Sequence, residues 1–504
     1  MKLFKQCTII FILLFLSNSN IFLANADSLK VINNSSQSEQ SYFKFKFDSL
    51  LQNKALSSTK YSMAVVSLDD NGIIYQKNGD EFVKPASVTK LITSFSTLSM
   101  VGDNNTLNTN IYTNDRIVSG SEINGNLYIK GIGDCLFSLS DLDEIVRQIS
   151  NLGIKKINGN IIADGNFFDE ENNRFKYSGD NDEVEPVAVI TALAIERNMI
   201  KIFINTNVNS NEPKIQVVPN ADNIIVKSNI KIQNKSKKSK KILTNLSANS
   251  KFDSNGNQII YLKGILSKNS SYSIQVFNLT PELTIASLLK KRLESNGITV
   301  TGKYSKQPRN SMIDYSKLSQ VASISRPILD LITNMNKNSD NFIAENLFKF
   351  NGAISKKDSN LSKSSRLLID SLIKPFNQFN QEVQIYDGSG LSRRNRVNAL
   401  IIVNLLKQAT TKPFFQSFLN SLAIGGVDGT IAKRFKNTSA EQSVFAKTGT
   451  HKDVSALAGF ARNLDGKIYI FAFFFNGPNV GIYKEIEKNA VEILTGFSKN
   501  SLNN

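Results

Sequence analysis

Three short patterns in this chain carry residue types suited to acyl transfer: Ser87-Val88-Thr89-Lys90, Ser339-Asp340-Asn341 and Lys447-Thr448-Gly449. In that order they form the S-x-x-K, S-x-N and K-T-G set of serine enzymes that use a lysine as base. A Ser-His-Asp triad would have to use His451, the single histidine. The first two patterns are weak alone, since S-x-x-K recurs at Ser57 to Lys60 and at Ser287 to Lys290, and S-x-N at Ser247 to Asn249. K-T-G occurs once. Order and context therefore carry the signal.

The context suits the chemistry. After Pro85, apolar Val88, Leu91, Ile92, Phe95 and Leu98 recur at helical spacing, which predicts a buried helix over Ser87 to Met100. Ser87 and Lys90 then share one face at its start, where the helix dipole favours negative charge developing on the serine. A lysine packed there loses its proton more readily, because burial disfavours the charged form. K-T-G followed by strand-forming Val454 to Phe460 suits a sheet edge. Substrate can pair with such an edge while Lys447 and the Thr448 and Thr450 hydroxyls hold a carboxylate.

Longer stretches around these patterns make the sequence resemble the low-molecular-mass class C penicillin-binding proteins, the D-Ala-D-Ala carboxypeptidase/endopeptidase family. They are Pro85 to Leu91, Lys337 to Asn341, Tyr386-Asp387-Gly388-Ser389-Gly390-Leu391-Ser392-Arg393, Gly425-Gly426-Val427-Asp428-Gly429-Thr430 and Ala446 to Thr450, extended by Val454 to Gly459. The resemblance runs from about Lys44 to Ile493. It implies that Ser87 attacks the carbonyl between two D-alanines, or that of a peptide cross-link, and that Lys90 takes its proton. The Ser87 and Thr450 N–H groups would form the oxyanion hole, Ser339 would relay a proton to the leaving amine, and Asn341 would bind the acyl side. It also implies a tight loop at Gly388 and Gly390, with Asp387 and Arg393 as supports. Peptidoglycan stem peptides and β-lactam antibiotics are the implied partners, with no metal or organic cofactor.

The same resemblance implies an α/β (α+β) fold: a serine β-lactamase/transpeptidase-like catalytic domain, its antiparallel sheet flanked by helices. About 250 residues separate Ser87 from Ser339. That gap implies two nested, β-rich accessory domains, and the texture agrees, with short strand-like segments and Asn-Gly turns from about 101 to 280. The expected division is 1–26 as signal peptide, 27–100 plus 281–504 as catalytic domain, 101–190 plus 265–280 as first insert, and 191–264 as nested domain. Asp164 is the candidate for holding the diamino acid of the wall peptide. Gly133-Asp134-Cys135, where the family usually has Gly-Asp-Pro, and Glu185 to Leu193 depart from the family pattern and bear on substrate preference.

The two ends and the composition set the outer limits. Lys2 and Lys5, an apolar run from Thr8 to Leu16 and Ala24-Asn25-Ala26 read as a secretory signal, too short to span a bilayer, so an exported, periplasmic protein is expected. Cys135 is the one cysteine beyond that signal and reads as a buried structural thiol. One histidine nearly excludes Cys/His zinc chemistry. The charge of +17 attracts polyanions, which for an exported protein are wall polymers or lipid headgroups rather than nucleic acid, and it leaves open a peripheral membrane or wall contact. The lysines between Lys235 and Lys241 read as a solvated loop, His451 as an exposed loop residue, and residues 27 to 60 as a flexible start followed by a short helix. Two other readings stay open: β-lactamase or esterase chemistry on the same serine, and a non-catalytic wall-binding homologue.

Overall fold

In the computed structural model, the described residues are 26–502, apart from 71, 116–119, 208–211, 234–244 and 377–382. The signal segment and the Lys235 to Lys241 run lie outside them. The chain opens with helix α1 (Ala26–Leu50), where a loose start and a short helix were expected. Glu39, Phe43 and Phe47, four apart, lie on its buried face. Phe43 meets Tyr469 edge-on at 5.3 Å and Phe497 at 4.9 Å. Phe43→Ala should therefore cost about 3–5 kcal/mol, the usual range for a buried phenylalanine. Urea denaturation checks this, and a loss below about 1 kcal/mol would show that α1 is not docked.

Strands β1 (Lys60–Ser67) and β2 (Ile73–Lys77) form an antiparallel hairpin, and helix α2 (Thr89–Val101) follows a 3-10 turn over Ala86–Val88. The chain then leaves for the insert. Strands Tyr304–Lys306, Ile161–Asp164, Leu127–Lys130, Thr106–Thr113 and Ser319–Pro327 make a five-stranded mixed sheet in that spatial order. Helices α3 (Leu139–Asn151) and α4 (Pro281–Ser295) cover it. Two further three-stranded sheets, Ser270–Phe277 with Met199–Thr206 and Lys214–Val218, and Ile224–Gln233 with Gln258–Ser267 and Asn245–Phe252, form the nested unit.

These pairings move the expected boundaries. Ile285, Leu289, Leu293 and Val300 share a core with Ile111, Ile129 and Ile161, so residues 281–327 complete the insert, not the catalytic domain. Residues 265–280 supply strands of the nested unit rather than of the first insert. Phe168, Tyr177, Ala188 and Ile190 pack with Ile343 and Phe348, so this part of the expected insert lies against the catalytic core. Periodicity identifies a helix or strand but not which core receives its apolar face.

The catalytic domain resumes at α5 (Ile328–Asn338), α6 (Asn341–Ser355) and α7 (Ala399–Thr410). Strands β3 (Ala423–Ile424), β4 (Val444–His451), β5 (Val454–Arg462) and β6 (Ile468–Asn476) follow, then α8 (Val480–Gly496). The sheet runs β3-β4-β5-β6-β1-β2, antiparallel throughout. It is covered on both faces, which explains the unbroken apolar run in β6. Phe471, Phe473 and Phe475 face α1 and α8, while Ile470, Ala472 and Phe474 face the core that holds α2 and α7.

Candidate active site

Ser87 sits in the 3-10 turn, and α2 continues beneath it. Lys90, one turn on, is completely buried. Its Nζ lies 2.9 Å from Ser87 Oγ, 2.8 Å from Asn341 Oδ1 and 2.7 Å from the Ser389 carbonyl. Burial lowers its pKa to about 8, against the opposing pull of Glu345 and Asp387. Two of its three partners, an amide oxygen and a carbonyl, can only accept. A neutral amine must keep its two hydrogens for them, which leaves its lone pair aimed at Ser87 Oγ.

Asn341 opens α6, and Ser339, in the left-handed conformation with φ 58°, closes α5. Asp340 caps α6 through Ile343 N and pairs with Arg197 of the insert. Asn341 Nδ2 donates to Glu185 at 3.2 Å. Lys447 is buried on β4, and burial, with Lys90 nearby, holds its pKa well below the usual lysine value. Its Nζ donates to the Thr448 carbonyl at 3.0 Å and has no ion pair among the described residues. Ser339 makes no hydrogen bond to it; both serines instead line one cleft of about 480 Å³ with Asn341, Thr448, Thr450 and His451. A larger depression of about 740 Å³ by Arg366 and Tyr386 holds no serine, so chemistry rather than size selects the site.

Close approach explains the glycine of K-T-G. A Cβ on Gly449 would stand 2.6 Å from the Pro85 carbonyl and 3.1 Å from Ser87 N, so only a bare backbone lets β4 pass the Ser87 turn. Strand β3 pairs only with Ala446 and Phe445. From Lys447 onward that edge of β4 has no strand partner among the described residues.

Beneath the site is a buried network of which the sequence reading held only Asp387, Arg393 and the Gly388 to Gly390 loop. Glu345 Oε1 accepts from Ser389 N at 2.8 Å, while its Oε2 accepts from Gly388 N at 3.2 Å and from the Tyr177 hydroxyl at 2.5 Å. Burial, followed by the Asp387 charge, raises its pKa to about 7. Asp387 accepts from Gly390 N, Ser392 N and Asn395, and pairs with buried Arg174, which also holds Asp180. Gly390, at φ +84°, fits where a Cβ would strike the Ala86 carbonyl at 1.9 Å. This network fixes the carbonyl that orients Lys90. Arg393 forks onto Asp453 at 2.9 and 2.6 Å, and Lys84 joins them. Burial pushes the Asp453 carboxyl up, but these cations outweigh it and leave its pKa well below the usual carboxylate range.

One expected placement changes. His451 is buried, not an exposed loop residue: its Nε2 lies 2.9 Å from the Gly390 carbonyl, so that nitrogen carries the proton. Burial lowers its pKa. Asp164 lies outside the cleft of Ser87, within the 101–190 stretch assigned to the first insert. It lies in the insert sheet, its Oδ2 taking the Tyr315 hydroxyl at 2.6 Å and its Oδ1 the Asn166 N–H at 2.9 Å. Thr430, bonded to Thr448 at 2.8 Å, is a cleft residue that the sequence reading left unassigned, although its Gly425 to Thr430 stretch was visible. Cys135 is buried and burial raises its thiol pKa well above the usual value, so it is no nucleophile. Among the described residues no group of three or more His, Cys, Asp or Glu is placed to hold a metal ion.

The family profile of the D-Ala-D-Ala carboxypeptidase 3 (S13) family matches residues 44–497. The chain belongs to this family. Relatives within it include a D-alanyl-D-alanine carboxypeptidase of an Actinomadura species, 26% identical over 443 residues, covering 85% of this chain and 80% of that one. The D-alanyl-D-alanine carboxypeptidase DacB of Haemophilus influenzae is 26% identical over 457 residues, covering 87% and 89%. The crystal structure of penicillin binding protein 4 from Haemophilus influenzae superposes with a TM-score of 0.72 at 23% identity, covering 88% of this chain and 99% of that one. The S13 fold is thus shared across nearly the whole chain.

Proposed function

We propose that this S13 protein is a serine D-Ala-D-Ala carboxypeptidase and DD-endopeptidase of peptidoglycan, acylated at Ser87 and open to the same acylation by β-lactams. The observation that carries this reading is the buried Lys90 Nζ 2.9 Å from Ser87 Oγ, with both of its other partners fixed acceptors. Neutral Lys90 takes the Ser87 proton as Oγ bonds to the carbonyl carbon. The Ser87 N–H, in the first turn of its helix, and the Thr450 N–H, on the open edge of β4, stabilise the oxyanion, each worth about 3–4 kcal/mol. The carbon–nitrogen bond then breaks, with the proton passing from Lys90 through the Ser339 hydroxyl to the leaving amine. Water attacks the acyl-enzyme, Lys90 again taking a proton, and Ser87 is released. The substrate carboxylate at Thr448 and Thr450 gives Lys447 the counter-ion it lacks. Support for β-lactam acylation comes from a related penicillin binding protein 4 of Haemophilus influenzae, whose structure is described as complexed with a novel β-lactam.

The pH dependence tests the assignment of base. A lysine with its pKa lowered to about 8 is protonated and inactive below that value, so acylation should rise about tenfold per pH unit up to pH ~8 and then level. Release of D-alanine from a stem pentapeptide across that range checks it. A rate flat from pH 6 to 9 would remove Lys90 as the base.

The finer placements belong to the same reading. The protein is exported to the periplasm, and its positive charge holds it loosely to anionic wall or membrane, an attachment that salt should weaken. No helix among the described residues is long and apolar enough to cross a membrane. Asp164 accepts one hydrogen bond on each oxygen, from Tyr315 and Asn166, and keeps acceptor capacity for the diamino acid.

A further inference from the structure

The cleft that holds Ser87 does not end at the K-T-G strand. On β4, Lys447 and Gly449 point toward α2, whereas Thr448 and Thr450 pair with Leu457 and Ser455 and point toward the α8 side of the sheet. There the cleft wall continues through Thr430 and Arg434 to Lys484 and Glu487, which lie three apart on α8. Glu487 is buried, and its Oε2 accepts from both Arg434 Nη1 and Nη2 at 3.1 Å. Its Oε1 has no close hydrogen-bond partner, and the Ser455 hydroxyl on the same cleft wall is the one donor besides Arg434 that acts on this carboxylate. Burial raises the pKa of Glu487, and Arg434 opposes that rise. The Lys484 side chain is exposed and makes no ion pair with any described residue. At the opposite end of the same cleft stands Glu185, beside Asn341. The cleft is therefore acidic at its Asn341 end and basic beyond Thr448.

We propose that Arg434, Lys484 and Glu487 form a subsite for the leaving strand of a cross-linked wall peptide, a second peptide chain bearing carboxylates. This rests on the function proposed above. In that reading the carboxylate next to the scissile bond lies at Thr448 and Thr450, so whatever continues from the leaving amine enters the region beyond them. Free D-alanine, the leaving group of carboxypeptidase turnover, ends at that carboxylate and reaches nothing further. A second stem peptide continues, bringing further carboxylates and amide N–H groups. Lys484 and the outer face of Arg434 supply cationic donors for the carboxylates. Glu487 Oε1, which Ser455 reaches only at long range, supplies an acceptor for an N–H, and an acceptor so poorly satisfied costs free energy that such a ligand recovers. Donor and acceptor together match a peptide strand, not a lone anion. The subsite favours endopeptidase over carboxypeptidase turnover and acts through binding.

Lys484→Glu is the direct test, because Arg434 is tied to Glu487 and its loss would disturb packing. The readout is the ratio of kcat/KM for a cross-linked dimeric wall peptide to that for an uncross-linked D-Ala-D-Ala pentapeptide. The ratio should fall about tenfold in Lys484→Glu and about threefold in Lys484→Met, mainly through KM for the dimer, and the difference should shrink at high salt. Acylation by penicillin, which brings no second strand, separates loss of this subsite from loss of the whole site. A ratio within about twofold of wild type in Lys484→Glu, or an equal fall on both substrates, overturns the subsite. A wild-type protein that releases no D-alanine and is not acylated would instead overturn the underlying function, and the subsite with it.

Discussion

Lys90→Met should slow acylation of Ser87 by penicillin by about 10³-fold, within the range that positioned proton transfer contributes. Methionine fills nearly the same buried volume, so the core around α2 should stay packed. What disappears is the only basic nitrogen within hydrogen-bond reach of Ser87 Oγ among the described residues; Lys447 bonds instead to the Thr448 carbonyl. The substitution also leaves Asn341 Oδ1 and the Ser389 carbonyl without their shared donor, so some loss of stability accompanies it. The two effects separate experimentally. Denaturant midpoints report the second, and the time course of a fluorescent penicillin adduct reports the first. The pH dependence should flatten as well, since the group that titrates near 8 is gone. A variant that acylates within about tenfold of wild type would mean that another group is the base.

The second large effect is expected at Gly449. An added methyl group there meets the Pro85 carbonyl and the Ser87 and Val88 nitrogens, all backbone atoms that cannot rotate away. Gly449→Ala must therefore push β4 from the Ser87 turn. In the proposed mechanism the oxyanion hole takes Ser87 N from one side of that contact and Thr450 N from the other, so a shift of tenths of an ångström would spoil it. A loss of about 10²-fold in acylation follows, larger than the change in stability accounts for. Gly481→Ala is the control, since a methyl group there meets nothing within 4 Å. Equal acylation by Gly449→Ala and wild type would show that the strand and the turn can separate without cost.

Local spacing pointed to the residues to which the proposed chemistry is assigned. Ser87 and Lys90 had to share a helix face, and the single K-T-G had to lie on a strand, whatever the rest of the chain did. The groups that hold Lys90 in register were not legible in this way. Glu345 reads as one charged residue in a helix, and only the return of Tyr177 from the insert shows it to be buried beneath Ser389. His451 follows the same rule. A polar residue after K-T-G-T looks solvent-facing until the Gly390 carbonyl is found against it. The apolar stripe of helix α4 fits the insert core and the catalytic core equally well on paper. Contacts between residues far apart in the chain, 168 positions for Tyr177 with Glu345 and 61 for His451 with Gly390, decided these placements, and periodicity carries no information about them.

Mass spectrometry of the mature protein after incubation with a labelled penicillin, beside Ser87→Ala, tests the central claim most directly. A single covalent adduct on the peptide that contains Ser87, absent from the mutant, is the predicted result. No adduct on folded wild-type protein, or an adduct that persists in Ser87→Ala, would contradict it.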